Sequence, residues 1–218
     1  MALGPYTSGE LALADELWDS LGEGMLCLAD RNFYSFERFQ KARQTGAQLL
    51  WRVKSDVGLP RELTLSDGSY LTSIYALKNR KARRDGARAR VVEYELDDPG
   101  RQGNETRYRL LTTILDPEQA PVDQLAPLYT QRWEFEGALD ELKVHQRGPR
   151  VVLRSKTPDG AIQEMYGYLC VHYAIRWLMH AVALESGNDS HRLSFTRTLR
   201  VARRTTASHA GFSPRSTH

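Results

Sequence analysis

The sequence lacks the features that define several large protein classes. It contains two cysteines in 218 residues, Cys27 and Cys170, and they form no Cys-x-x-Cys pair. Both lie in apolar surroundings, so we expect buried thiols in a reducing compartment rather than a disulfide framework. There is no Walker phosphate loop and no serine nucleophile elbow, so the common nucleotide-hydrolase and serine-hydrolase classes receive no support.

Long uninterrupted apolar runs and a basic-then-apolar leader are also missing. The longest apolar stretch, Tyr166–Leu184, is interrupted by His172, Arg176 and His180, so it does not predict a membrane span. We therefore expect a cytoplasmic protein without a membrane partner. With 41% hydrophobic and 26% charged residues, the composition is that of a globular domain, or of one domain carrying an insertion.

Basic residues are unevenly distributed, although the net charge is only +3. Seven of them lie between Lys78 and Arg90, and blocks without any acid lie between Val144 and Pro158 and after Asp189. Such blocks favour a polyanion as partner. Solvated loops would give the same pattern, and for each block taken alone that alternative stays open.

The amino-terminal third predicts helices and strands in alternation. Thr7-x-x-Glu10 reads as a capping box that opens a helix through Leu21. The apolar run Met25–Ala29 predicts a buried strand, and Asp30 follows it directly, where open α/β sheets present ligand groups. Ser35 then predicts the start of a helix that runs to Ala42.

The middle of the chain predicts mostly strands. Gln48–Lys54 reads as a strand and Tyr108–Leu115 as a strong strand. Between them, residues 56–103 show short strand-like runs separated by turn residues. Helical periodicity returns near Val122. Because Pro127 removes a helix hydrogen bond, we place the start of the main helix after it, near Leu128. Ala161–Leu184, apolar on nearly all sides, predicts a core helix, and Ser194–Arg204 a short basic one.

Four chemically matched residues share one face of that main helix. At about 100° per residue, Tyr129, Arg132, Glu136 and Lys143 fall within a sector of roughly 60°. A carboxylate between two cations and a phenol can hold a metal ion and a phosphate side by side. Ordinary surface pairs between these charges are the alternative that spacing alone leaves open.

The spacing Tyr-x2-Arg-x3-Glu-x6-Lys, together with the strand end LADRNFYSF around Asp30, resembles the DDE-type insertion-sequence transposases of the insertion sequence four family. The resemblance runs from about Gly4 to Arg204. It implies an α/β, ribonuclease H-like mixed sheet with flanking helices, interrupted by a β-rich insertion. The implied boundaries are a partial catalytic core over 1–54, the insertion over 55–107, the rest of the core over 108–204 and a disordered tail over 205–218.

The same resemblance assigns roles to individual residues. Asp30 and Glu136 would be the second and third catalytic carboxylates and the ligands of Mg²⁺ or Mn²⁺ in a two-ion site. The resemblance assigns DNA binding to one tyrosine and six basic residues: Tyr129, Arg132, Lys143, Arg147, Arg150, Arg154 and Lys156. The implied partners are transposon-end and target DNA, with a homodimer or a full-length transposase as protein partner.

The first catalytic Asp of the family pattern normally lies on an earlier strand, and no residue of this chain matches it. The expected function is therefore DNA transposition, by a chain with two of the three metal ligands and little activity alone. Two further hypotheses stay open: a non-catalytic remnant that binds DNA or transposase, and a decayed reading frame whose product is unstable.

Overall fold

A computed structural model describes residues 4, 7–95, 107–148, 152–187 and 192–208. The α-helices in these stretches are α1 Glu10–Asp15, α2 Phe36–Gln44, α3 Val122–Thr130, α4 Arg132–Asp140, α5 Pro158–Ser186 and α6 Phe195–Ser208. The strands are β1 Leu26–Ala29, β2 Gln48–Arg52, β3 Leu63–Thr64, β4 Tyr70–Ile74, β5 Ala87–Glu95 and β6 Arg107–Thr112. A π-helix covers Glu141–Gln146. The chain divides into two compact units, Met1–Arg132 and Trp133–His218.

The first unit is built on one six-stranded mixed sheet with the order β1-β2-β6-β5-β4-β3. β1 and β2 are parallel, with Ala29 beside Trp51, and every other neighbouring pair is antiparallel. The expectation of an α/β fold is confirmed. Its ribonuclease H-like character stays a prediction.

Burial of β2 on both faces explains its unbroken apolar sequence. Leu49 and Trp51 point into a cluster with Phe39 of α2, and Leu50 points into a second cluster with Leu125 of α3. The rings of Phe39 and Trp51 meet edge to face at 5.5 Å. Helices therefore cover both faces of the sheet, the arrangement that strands without polar alternation require.

The β-rich segment predicted over residues 55–107 contributes β3, β4 and β5 to this same sheet. Arg90 of β5, with none of its surface exposed, ties the segment to the loop before α3. Its guanidinium pairs with Asp67 and donates to Ser69 Oγ at 2.7 Å and to the Ala120 carbonyl at 2.8 Å. That the segment is an insertion into the family pattern stays a prediction.

Two helix predictions were wrong in their bounds. The predicted capping box does not form, since α1 begins at Glu10 with Gly9 as a cap that lacks a side chain, and it ends at Asp15. Beyond Asp15 the backbone bonds change to the i→i−3 type, as in the Leu17 amide donating to the Ala14 carbonyl. The carboxylate of Asp15 accepts hydrogen bonds from Trp18 Nε1 and Arg38. Pro127 does not precede the next long helix but lies inside α3.

The cap of α2 formed as expected. Ser35 Oγ accepts a hydrogen bond from the Arg38 amide at 3.2 Å, and the helix runs to Gln44. This satisfies one of the amides that a helix start leaves unpaired, and it fixes where the chain turns after β1.

The second unit contains α4, the π-helix, α5 and α6. Its core consists of Ile175 and Met179 of α5 against Phe195 and Leu199 of α6. The prediction of a long helix at α5 is confirmed. The prediction that it is buried is wrong for most of its length, since only Ile175, Met179 and Ala183 are buried. α6 extends to Ser208, past the predicted end at Arg204, and residues 209–218 of the predicted tail lie outside the described residues.

The cysteine prediction holds only in part. Cys27 is half-buried, but Cys170 is exposed, and both are free thiols. Among the described residues, no helix combines the length and apolarity needed to cross a membrane.

Replacing the buried arginine tests how the sheet is held to the following loop. Arg90→Ala leaves Asp67 and the Ala120 carbonyl without their donor, so we expect the free energy of unfolding to fall by about 3–5 kcal/mol. Arg88→Ala, at an exposed position two residues earlier on the same strand, should change it by about 0.5 kcal/mol or less. Urea unfolding measures both, and equal effects would contradict the assigned role.

Candidate active site

Asp30 stands where the two parallel strands end together. β1 stops at Ala29, and a turn closes behind it with the Phe33 amide donating to the Asp30 carbonyl at 3.0 Å. Because Ala29 lies beside Trp51, the next residues, Asp30 and Arg52, emerge side by side. Arg52 Nη1 lies 4.0 Å from Asp30 Oδ1.

The carboxylate of Asp30 has one oxygen whose environment is unusual. Oδ1 is buried and accepts no hydrogen bond, while the side chain as a whole is 30% exposed. A buried carboxylate oxygen without a hydrogen-bond donor is uncommon, and the Arg52 guanidinium at 4.0 Å offsets only part of its desolvation. A hard divalent cation would satisfy it, so Asp30 suits the role of a metal ligand.

Tyr129 supports this strand end from the inside. Its side chain is 1% exposed, and Oη donates a hydrogen bond to the carbonyl of Ala29 at 3.2 Å. The guanidinium carbon of Arg132 lies 5.7 Å from the centroid of the ring. A residue about a hundred positions later in the chain thus holds the backbone immediately before Asp30.

The pKa of Tyr129 depends on the charged residues around it. Burial raises the pKa of its phenol to about 12, and the negative charge of Asp30 adds to the rise. Arg132 and Arg52 oppose it. The contact of Tyr129 with a DNA phosphate stays a prediction; in this structure the phenol is enclosed and donates to the Ala29 carbonyl.

The four signature residues do not lie on one uniform α-helix. Tyr129 belongs to α3, which ends at Thr130, while Arg132 and Glu136 lie one turn apart in α4, and Lys143 lies in the π-helix. The predicted sector assumed a constant 100° per residue, and the interruption at Gln131 and the wider π-turn both depart from it.

Glu136 and Lys143 are exposed, and they belong to the second unit, whereas Asp30 belongs to the first. Their convergence on one metal site stays a prediction. Over the described stretches, no group of three His, Cys, Asp or Glu side chains is placed to hold a metal ion.

The remaining basic residues assigned to DNA differ in accessibility. Arg154 and Lys156 are exposed, and Arg147 is half-buried. The backbone amides of Arg154 and Ser155 donate to Glu164 of α5 at 2.9 and 3.2 Å, which fixes this segment to the helix. Arg150 lies outside the described residues.

Arg52 is the site residue that sequence reasoning missed. Besides its approach to Asp30, its guanidinium stacks on the Tyr108 ring at 4.1 Å. The signal was present, because Asp30 directly follows one predicted strand and Arg52 lies near the end of another, Gln48–Lys54. Only the parallel register of β1 and β2 turns that coincidence into a contact.

The chain is similar to known transposases. Residues 1–174 match the family described as "Transposase DDE domain", and the chain therefore belongs to that family. It is 27% identical over 216 residues to the transposase InsG for insertion sequence element IS4 of Escherichia coli strain K12. The match covers 98% of this chain and 48% of the relative, so the chain spans about half of the relative's length.

The titration of Tyr129 tests the geometry around Asp30. Because folding raises this pKa from 10 to about 12, the stabilisation is present below pH 10 and is lost as the pH rises towards 12. We expect Asp30→Asn to lower the pKa of Tyr129 and Arg52→Gln to raise it, measured as phenolate absorbance immediately after a pH jump. Comparison with a Tyr129→Phe variant identifies the part of the absorbance change that comes from Tyr129.

Tyr34 provides the internal control, since its pKa is also raised to about 12, by burial and by Glu37. Neither substitution should move it. Shifts of equal sign in Asp30→Asn and Arg52→Gln would contradict the arrangement.

Proposed function

We propose that the chain acts in DNA transposition as part of a DDE transposase that cleaves phosphodiester bonds and transfers DNA strands at transposon ends. The observation that carries the proposal is the buried, unsatisfied oxygen of Asp30 at a strand end, in a chain of this family. Tyr129 and Arg52 hold that strand end from two sides.

Asp30 and Glu136 are the proposed metal ligands. Divalent Mg²⁺ or Mn²⁺, when bound, activates the attacking oxygen and neutralises charge on the leaving one. Asp30 contributes a hard oxygen ligand. The hydrogen bond from Tyr129 holds the backbone carbonyl of the preceding residue, Ala29. Arg52, with Nη1 4.0 Å from Asp30 Oδ1, contributes a positive charge beside the carboxylate and the reacting phosphate.

Arg132, Lys143, Arg147, Arg150, Arg154 and Lys156 are the proposed DNA contacts. Arg132 suits a bidentate contact with a phosphate, because its planar guanidinium presents paired donors. The exposed Arg154 and Lys156 supply sequence-independent affinity. For Tyr129 we propose an indirect part in DNA binding, through the placement of Arg132 and of the end of β1.

The remaining carboxylate would come from outside the described residues. β1 is the last strand at its side of the described sheet, and Leu26 on it is 36% exposed. A strand that pairs along this edge would bring a side chain next to Asp30. A second copy, a full-length transposase or a neighbouring segment could supply it.

Metal binding and cleavage test the catalytic role. We expect the chain to bind Mn²⁺ weakly, with Asp30→Asn removing most of that binding in calorimetry, and to show little cleavage of transposon-end DNA with Mg²⁺. Asp19→Asn, an exposed acid of the first unit, is the matched control. Mn²⁺ binding that survives Asp30→Asn would argue against the ligand. Efficient cleavage that Glu136→Gln abolishes would show that the site is complete.

A second candidate is a non-catalytic remnant that binds DNA or competes with full-length transposase. It is favoured by the exposed basic residues and by the absence of a three-ligand cluster in the described stretches. It shares the DNA contacts but needs no metal.

Salt dependence tests the DNA contacts that both candidates share. In fluorescence anisotropy with duplex DNA, Arg154→Gln and Lys156→Gln should each reduce the slope of log affinity against log salt by about 1. Asp30→Asn should leave the slope unchanged. Binding that ignores salt would contradict both candidates.

A further inference from the structure

The π-helix Glu141–Gln146 changes the direction of the chain where Lys143 is presented. Its hydrogen bonding is of the i→i+5 type, as in the Arg147 amide donating to the Leu142 carbonyl at 3.1 Å. Single π-turns within or after α-helices are rare and are found frequently at functional sites. A specific cause is therefore expected in the residues around it.

Two polar anchors fix this turn to α5. At its start, the Glu141 carboxylate accepts hydrogen bonds from Arg176 Nε at 2.9 Å and Nη2 at 2.8 Å, and it lies 3.0 Å from His172 Nε2. At its end, Gln146 Nε2 donates to the Tyr168 carbonyl at 2.8 Å.

A further bond reaches the turn from α6, where Arg203 Nη2 donates to the Gln146 carbonyl at 2.8 Å. His172 itself stacks on Phe195 of α6 with ring centroids 5.2 Å apart. The turn is thus held by both long helices of its own unit.

The spacing of the anchors explains the helix type. Glu141 and Gln146 are five residues apart, and in an α-helix that places them about 140° from each other. They could not then both face the same helix α5. A turn with i→i+5 bonds brings them onto nearly one face, so satisfying both anchors selects the π-turn over a continued α-helix.

We infer that Glu141 is a positioning residue for Lys143. Its bonds to Arg176 and His172 select the π-turn, and that turn sets the direction in which the exposed Lys143 is presented to DNA. The inference rests on the proposed function, because it assumes that Lys143 binds DNA. The inference assigns a part in DNA binding to Glu141, a residue outside the four-residue signature. In this role the Glu141 side chain does not itself contact DNA.

Whether Glu141→Gln strengthens or weakens DNA binding distinguishes a positioning role of Glu141 from a purely electrostatic one. Glu141→Gln removes a negative charge close to Lys143, and by charge alone it should strengthen binding to DNA. If Glu141 acts by placing Lys143, the same substitution weakens binding and lowers the salt slope by about 1, as Lys143→Gln does. Glu134→Gln, an exposed acid of α4 with the same change in charge, should not weaken it.

A double-mutant cycle completes the test with the whole chain and duplex DNA. We expect Glu141→Gln to cost roughly threefold or more in affinity in the wild-type background and nothing further in the Lys143→Gln background. Arg176→Lys, which retains one charged donor, should fall between wild type and Glu141→Gln. Urea unfolding and the exchange of the amides of residues 142–147 report whether the turn loosens while the fold persists.

Additive losses in the cycle, or a gain in affinity equal to that of Glu134→Gln, would overturn the inference and leave the proposed function intact. If Lys143→Gln binds like wild type while Arg154→Gln does not, the role of Lys143 falls, and this inference with it. A chain that binds no DNA under any salt condition would refute the proposed function itself.

Discussion

The hydrogen bond from Tyr129 to the carbonyl of Ala29 connects the two parts of the sequence on which the candidate site depends. It joins α3, which carries the first signature residue, to the end of β1, which directly precedes Asp30. The phenol is enclosed between the sheet and α3, so no water competes for this bond. A carbonyl that is held in this way fixes the direction in which the next residue leaves the strand.

The mixed sheet supplies the other half of that constraint. Parallel strands end at the same edge, and the register of β1 against β2 puts Asp30 beside Arg52. The β-rich segment extends the sheet on the far side of β6 and is locked by buried Arg90. The placement of Asp30 therefore depends on residues that are distant in sequence and would not be recognised as functional by their own motifs.

Local signals in the sequence predicted the elements that local forces determine. The apolar run before Asp30 gave β1 within one residue, and the Ser35 cap gave the start of α2, because burial of a short strand and satisfaction of helix amides depend on neighbouring residues. The strand predictions at Gln48–Lys54 and Tyr108–Leu115 were confirmed for the same reason.

Features set by tertiary contacts could not be predicted. The inward orientation of Tyr129 follows from packing against Leu50 and Leu110, and the approach of Arg52 to Asp30 follows from strand register. The π-turn depends on partners in α5 that lie about thirty residues away. The early end of α1 coincides with a tertiary contact, the pairing of the Asp15 carboxylate with Arg38. A helical wheel assumes uniform geometry and so misplaces Lys143.

The position of β1 at the margin of the described sheet has a practical consequence. Its outward amides and carbonyls form a ready template for any extended peptide, and Met25 and Leu26 add an apolar surface beside it. Unpaired backbone groups at a sheet edge bind water, but they can pair with a strand of any sequence. At high concentration, copies of the chain would associate with one another along this edge. Low protein concentration, or a short synthetic peptide that pairs with β1, should therefore reduce aggregation of the isolated polypeptide.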